Sequence, residues 1–230
     1  MRLDRLLANQ PDLNRRQVRQ LLAARQVTVN GQTLVCGEAE VSAFDHVRVD
    51  ERVIQAGKPA LYLMLNKPAG CVSATRDPDH RTVIDLIDHA DKNDLHIAGR
   101  LDGNSTGLLV LTNDGQWSRR LTLPGSVLGK TYRVETAHDI TQACIEAFAA
   151  GLYFRFENLT TRPVALELLG PREARLTLHE GRYHQIKRMF GQFRNPVLAI
   201  HRERMGPLTL DPSLGPGKHR PLTAAEIAAV

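Results

Sequence analysis

Apolar residues follow two rhythms along this 230-residue chain. Near the start they recur at helical spacing: Leu3, Leu6 and Leu7, then Val18, Leu21 and Leu22 beyond a break at Pro11. Two short helices are expected, the second opened by Asn14 with Gln17 three positions on, the reciprocal pair of a capping box. The rhythm changes at Val27-Thr28-Val29-Asn30-Gly31, which alternates like a strand and ends in an Asn-Gly hairpin turn. Val47 and Val49 read as the strand closing this first unit, and Gln55-Ala56-Gly57-Lys58-Pro59 as a short linker. The expected boundary lies within 52–59 and separates a domain of 1–57 from one of 58–230.

From residue 60 onward strand patterns dominate. Strands are expected over 60–66, 107–112, 130–135, 162–168, 173–179 and 196–201, and helices over 82–88, 140–150 and 184–192. A last helix follows Thr223, whose capping-box partner is Glu226. Hairpins outnumber strand-helix-strand units, so the expected class is α+β: a small N-terminal domain and a larger one built on a largely antiparallel mixed sheet.

Composition narrows the partners without choosing one. Hydrophobic residues make up 42% of the chain, enough for a real core, and the net charge is +5, which suits a polyanion and many other proteins as well. The charge is uneven: residues 1–26 hold Arg2, Arg5, Arg15, Arg16, Arg19 and Arg25 against Asp4 and Asp12. Cys36, Cys71 and Cys144 are odd in number and form no Cys-x-x-Cys pair, which argues for a reducing cytoplasm and against a disulfide frame or zinc site. The nine histidines do not cluster at ligand spacings. No apolar segment could span a bilayer, and Asp4 and Arg5 interrupt any leader. Gly-x-Gly-x-x-Gly and P-loop motifs are absent, so no nucleotide cofactor is expected.

The densest chemical signal is Gly99-Arg100-Leu101-Asp102-Gly103-Asn104-Ser105-Thr106-Gly107-Leu108-Leu109. One reading takes Gly103 to Gly107 as a Gly-x-Ser-x-Gly nucleophile elbow, which must pass from strand through a sharp turn into a helix. Here the apolar run Leu108–Leu111 follows, closed by Asn113-Asp114-Gly115, and this reads as a strand entering a hairpin turn. The elbow therefore lacks its context. The other reading makes Asp102 the reacting residue, against the bland alternative of a turn carboxylate paired with Arg100.

The Asp102 segment resembles the Gly-Arg-Leu-Asp-x-x-Thr/Ser-x-Gly-Leu motif of the RsuA and RluA families of RNA pseudouridine synthases, with Ser105 at the Thr/Ser position. Three further segments resemble the same families in the same order. They are Leu65-Asn66-Lys67-Pro68-Ala69-Gly70, then Lys130-Thr131-Tyr132, then Glu180-Gly181-Arg182-Tyr183-His184-Gln185-Ile186-Lys187-Arg188-Met189. Ile200 matches an apolar position that packs in the active site. The arginine-bearing helices ahead of Val29-Asn30-Gly31 resemble the S4 RNA-binding domain, where a basic face alone would read as a solvated surface.

The resemblance implies an RsuA-family enzyme that isomerises uridine to pseudouridine in RNA, with neither metal nor cofactor. Asp102 would act on C1′ or on its neighbouring proton, Lys187 would supply a cation beside it where many relatives carry arginine, and Tyr132 would lie against the base. Arg100 and Ile200 would contact substrate. Arg2, Arg5, Arg15, Arg16, Arg19, Arg25, Lys67, Arg182 and Arg188 would bind RNA, and His179 and His184 would be structural or RNA-facing. A chain this short, with an S4 module and no long basic tail, points to small-subunit (16S) rRNA or an assembling particle as partner, acted on by a monomer in the cytoplasm. The alternatives are the same reaction on 23S rRNA, or an RNA-binding assembly factor without catalysis.

Overall fold

In the computed structural model, which describes residues 1–123 and 128–230, the chain divides into two units, Met1–Ala60 and Leu61–Val230. The first contains α1 (Leu3–Ala8), α2 (Arg15–Ala23), β1 (Val27–Val29), β2 (Gln32–Thr33), β3 (Val47–Val49) and β4 (Arg52–Gln55). Asn14 caps α2 with its side-chain oxygen, which accepts from the backbone of Arg16 and Gln17 at 3.0 Å each, and Gln17 reciprocates to the Asn14 amide at 2.9 Å. Leu3, Leu7, Val18 and Leu22 bury the expected stripes against Val27, Val29 and Val47. Asn30 and Gly31 adopt φ +52° and +80°, the left-handed pair a tight hairpin turn requires, and join β1 to β2. The antiparallel sheet runs β2-β1-β3-β4. Residues 52–55 are therefore its last strand, zipped to β3, and Gln55, expected to begin the linker, belongs to it.

In the second unit the elements run β5 (Tyr62–Lys67), β6 (His96–Ala98), β7 (Thr106–Thr112), α3 (Gly115–Thr122), β8 (Lys130–Thr136), α4 (Gln142–Ala150), β9 (Tyr153–Phe154), β10 (Leu159–Thr160) and β11 (Leu166–Gly170). They continue as β12 (Glu173–Leu178), α5 (Gln185–Gly191), β13 (Val197–Met205), β14 (Leu208–Thr209), β15 (His219–Pro221) and α6 (Ala224–Ala228). The main sheet has the order β11-β12-β8-β13-β7-β5-β15, with β14 beside β13 and β6 beside β7. All pairings are antiparallel except β13 with β7, so the sheet is mixed.

Both faces of its centre are covered, which explains the unbroken apolar runs of β5 and β7. Leu63, Leu65, Leu109 and Leu111 face a core completed by Phe148 of α4 and Met189 and Phe190 of α5. Met64, Leu108 and Val110 face Trp117 and Leu121 of α3 on the other side.

Four local expectations change. The helix expected over 82–88 is a single 3-10 turn, Ile84–Leu86. One turn suffices to bury Val83, Ile84 and Ile87, and the chain is extended again at Ile87. Asn113-Asp114-Gly115 is no hairpin turn: the Asp114 carboxylate accepts from the Gln116 and Trp117 amides at 3.0 Å and starts α3. An Asp-Gly pair serves a helix cap as readily as a turn. The strand expected from 162 begins at Leu166, beyond Pro163, which has no amide to donate. The strand expected over 196–201 runs on to Met205.

Candidate active site

Asp102 occupies the first position of a tight turn, closed by the Ser105 amide donating to the Asp102 carbonyl at 3.0 Å. The loop from Gly99 to Ser105 enters β7, and two buried cations grip the loop and the start of the strand. Lys67, at the end of β5, has no solvent exposure; its ammonium donates to the carbonyls of Pro68, Gly103 and Ser105 at 3.0, 2.9 and 2.8 Å. Arg202 of β13 is equally buried and donates to the carbonyls of Leu108, Arg100 and Gly99 at 2.8, 3.2 and 2.8 Å. Ser73 adds a third hold, its hydroxyl donating to the Leu101 carbonyl at 2.6 Å and accepting from the Leu101 amide at 3.1 Å. Besides its own closing bond, the turn is thus tied by Lys67, Ser73 and Arg202 to a strand or loop outside it. Gly107 admits this arrangement: at φ +101° it lies so near β13 that a Cβ would stand 2.4 Å from the Arg202 carbonyl oxygen.

Burial pushes the Lys67 ammonium below its ordinary pKa, and nearby Cys71 and Asp102 partly oppose that shift. The expectation that Lys67 meets RNA is therefore corrected. An enclosed ammonium spent on three carbonyls cannot reach a phosphate, and its work is to hold the turn that carries Asp102.

Side chains from the start of α5 meet the carboxylate. Lys187 Nζ lies 3.5 Å from Asp102 Oδ2, and His184 Nε2 lies 3.5 Å from Oδ1. Arg100, exposed at the rim, pairs with no acid among the described residues, so the bland picture of an Arg100–Asp102 pair does not hold. His184 precedes α5 in the left-handed region, φ +46°, which costs a non-glycine residue on the order of 1 kcal/mol and places its ring on the same side as Lys187, three residues on.

Asp102 opens into a cleft of about 730 Å³ whose lining includes Arg100, Tyr132, Arg182, Tyr183 and Ile200. Tyr132 of β8 and Ile200 of β13 are nearly buried there, 8% and 7% exposed. Arg182 stands at the edge, paired with Glu180 at 3.1 Å. Arg188 is turned away from this role: it pairs with Glu157 at 2.5 Å and lies 3.9 Å over the Phe154 ring, so it fastens α5 to the β9–β10 hairpin. Arg188, expected to bind RNA, is thus paired with an acid from outside the segment that carried that expectation. Ser105 is 3% exposed and leads into a strand, so it cannot act as a nucleophile elbow.

In the first unit Arg5, Arg15, Arg16, Arg19 and Arg25 are exposed, and Arg2 is held by Asp4 at 2.7 Å and Glu38 at 3.2 Å. Arg25 ends α2 in the left-handed region, φ +61°, a position glycine usually fills.

Sequence reasoning missed the roles of Lys67, Ser73, His184 and Arg202. Two of these had a signal. Arg202 falls in phase with buried Ile200 along β13, and His184 precedes Lys187 by one helical turn.

The family model for RNA pseudouridylate synthase matches residues 61–192. The ribosomal small subunit pseudouridine synthase A of Pseudomonas aeruginosa is 62% identical over 230 residues, covering 100% of both chains. The protein of the same name from Escherichia coli strain K12 is 42% identical, again over 100% of both. A crystal structure of a pseudouridylate synthase superposes with a TM-score of 0.72 at 38% identity, covering 100% of this chain and 99% of that one.

Proposed function

Because the chain belongs to the family of RNA pseudouridylate synthases, which convert uridine to pseudouridine within RNA, we propose that its substrate is a uridine of small-subunit ribosomal RNA. The observation that carries the reaction is Asp102 itself, a carboxylate on a doubly clamped turn, 3.5 Å from both Lys187 and His184, at the edge of a cleft lined by Tyr132. Full-length likeness to proteins named for the small subunit supports the choice of RNA.

The reaction is an isomerisation, so its atoms balance without a co-reactant. The N1–C1′ bond breaks, the uracil turns, C5 bonds to C1′, the C5 proton leaves and N1 gains one. The uridine must leave its stack to enter the cleft, at a cost of a few kcal/mol. Asp102 then acts on C1′ or on the neighbouring ribose proton, with Lys187 and His184 fixing its oxygens. Tyr132 lies against the extruded uracil and takes part in loss of the C5 proton, Ile200 packs beside it, and Arg100 at the rim enters the gap the base leaves.

The first unit serves as an S4-type RNA-binding module in a cytoplasmic, monomeric enzyme. Its exposed arginines bind phosphates and so give affinity with little sequence reading. Replacing Arg15, Arg16 and Arg19 together by Ala is expected to flatten the plot of log affinity against log salt by about 2 to 3, roughly one per lost phosphate contact. An unchanged slope refutes that role.

Tritium release from uridine C5 on small-subunit RNA, large-subunit RNA and partly assembled small subunits tests the substrate. Release confined to the small-subunit forms is expected. Preference for large-subunit RNA refutes the assignment.

A further inference from the structure

Tyr183 is 78% exposed although it lines the cleft and belongs to a tightly bound loop. Its ring stacks on His184, centroids 3.9 Å apart and planes 20° apart, and His184 in turn contacts Asp102. The loop around it is closed by its own polar groups. Gln185, 3% exposed, donates to Glu180 at 2.6 Å and accepts from the Arg182 amide at 3.1 Å; Arg182 also pairs with Glu180, and Arg188 donates to the Tyr183 carbonyl at 3.3 Å. Tyr183 is thus a rigid aromatic platform backed by a histidine and left open at the mouth.

The cleft carries aromatics at two depths. Tyr132 lies inside, nearly buried, where an extruded uracil goes. Extrusion also strips a stacking partner from the base next to the target, and that neighbour stays on the strand at the mouth. An exposed ring fixed at the mouth replaces the lost stack, and because the ring is already held, little side-chain freedom remains to be lost on binding.

We propose that the Tyr183–His184 stack is a subsite for the nucleobase adjacent to the target uridine in the RNA strand. The subsite accepts any base, since every base presents a π-face. It rests on the uridine-isomerising reading, and wild-type turnover of intact RNA tests that reading separately.

The test is a double-mutant cycle on the small-subunit RNA that the wild type modifies. Tyr183→Ala, Tyr183→Phe and wild type are compared on intact RNA and on RNA made abasic at the nucleotide 5′ or 3′ of the target. On intact RNA, Tyr183→Ala is expected to raise KM by about 5- to 150-fold, the range for loss of one base stack, with kcat within a few-fold, while Tyr183→Phe restores KM. On RNA abasic at one of the two positions, wild type and Tyr183→Ala are expected to converge. If the two differ by the same factor on all three RNAs, or if Tyr183→Ala lowers kcat alone, Tyr183 only supports His184 and the subsite is wrong.

Discussion

Replacing Lys67 by Met removes the ammonium from the Asp102 turn while keeping an unbranched side chain. Three carbonyl bonds disappear, but the Gly103 carbonyl keeps the Gly70 amide at 3.0 Å, so the main loss falls on Pro68 and Ser105. An acceptor stripped of its partner in the interior costs roughly 1–3 kcal/mol, which puts the gross penalty at roughly 2–6 kcal/mol. Against this, methionine avoids the cost of burying a charge, the same cost that lowers the Lys67 pKa. The Pro68 acceptor is only part-buried and the relief of charge burial offsets some of the rest, so the net expectation is a loss of about 1–3 kcal/mol, still a large share of the ~5–15 kcal/mol that holds a domain together. Trp117 is the single tryptophan and is 1% exposed within the second unit, so its fluorescence in urea reports this unit directly. The turn should also lose its aim: a misplacement on the order of 1 Å can cost about 100-fold in rate, so kcat is expected to fall about 10- to 100-fold with KM little changed. Lys187→Met is the contrast, since that side chain is 37% exposed and its loss should cost less than about 1 kcal/mol. A Lys67→Met protein with wild-type urea midpoint and wild-type kcat refutes the clamp.

Gly107→Ala is expected to destabilise by roughly 3 kcal/mol or more, because the new methyl meets the Arg202 carbonyl oxygen at 2.4 Å and the backbone is left-handed at φ +101°; a thermal midpoint within a degree or two of wild type contradicts this. Arg220 holds Asp211 at 2.8 Å and Glu226 at 2.9 Å. Hydrogen bonds from Ser213 and Arg220 bring Asp211 down to about 2, and the Arg220 guanidinium brings Glu226 down to about 2. Both folded values lie below the ordinary carboxylate range, so this stabilisation is present above about pH 4.5 and is lost as pH falls toward 2. Arg220→Met should shrink the acid-dependent fall in urea midpoint, and parallel curves for the two proteins between pH 7 and 3 count against it.

Local chemistry was the legible part. The boxes at Asn14–Gln17 and Thr223–Glu226, and the left-handed pair Asn30-Gly31, depend only on residues within four positions, and all three form. Asp114 misled because the same dipeptide caps a helix or turns a hairpin, and the choice was made by Trp117 finding a core beyond β7. Charge was the illegible part. Lys67, Arg188 and Arg5 are all basic residues in a basic chain, yet the first is enclosed by carbonyls, the second is claimed by Glu157, and the third is exposed. Nothing within a few residues of each distinguishes them, since the deciding partners arrive from distant strands and loops. Asp102 stood out by its motif, whereas His184 was signalled only by its spacing from Lys187, because its contact depends on a left-handed turn at the start of α5.

The most direct measurement is tritium release from C5-labelled small-subunit RNA by wild type and Asp102→Asn, side by side, with RNA binding followed in parallel. Turnover by the wild type is expected, with none by the variant although it folds and binds RNA equally. Substantial release by Asp102→Asn would contradict the assignment of Asp102 as the reacting carboxylate.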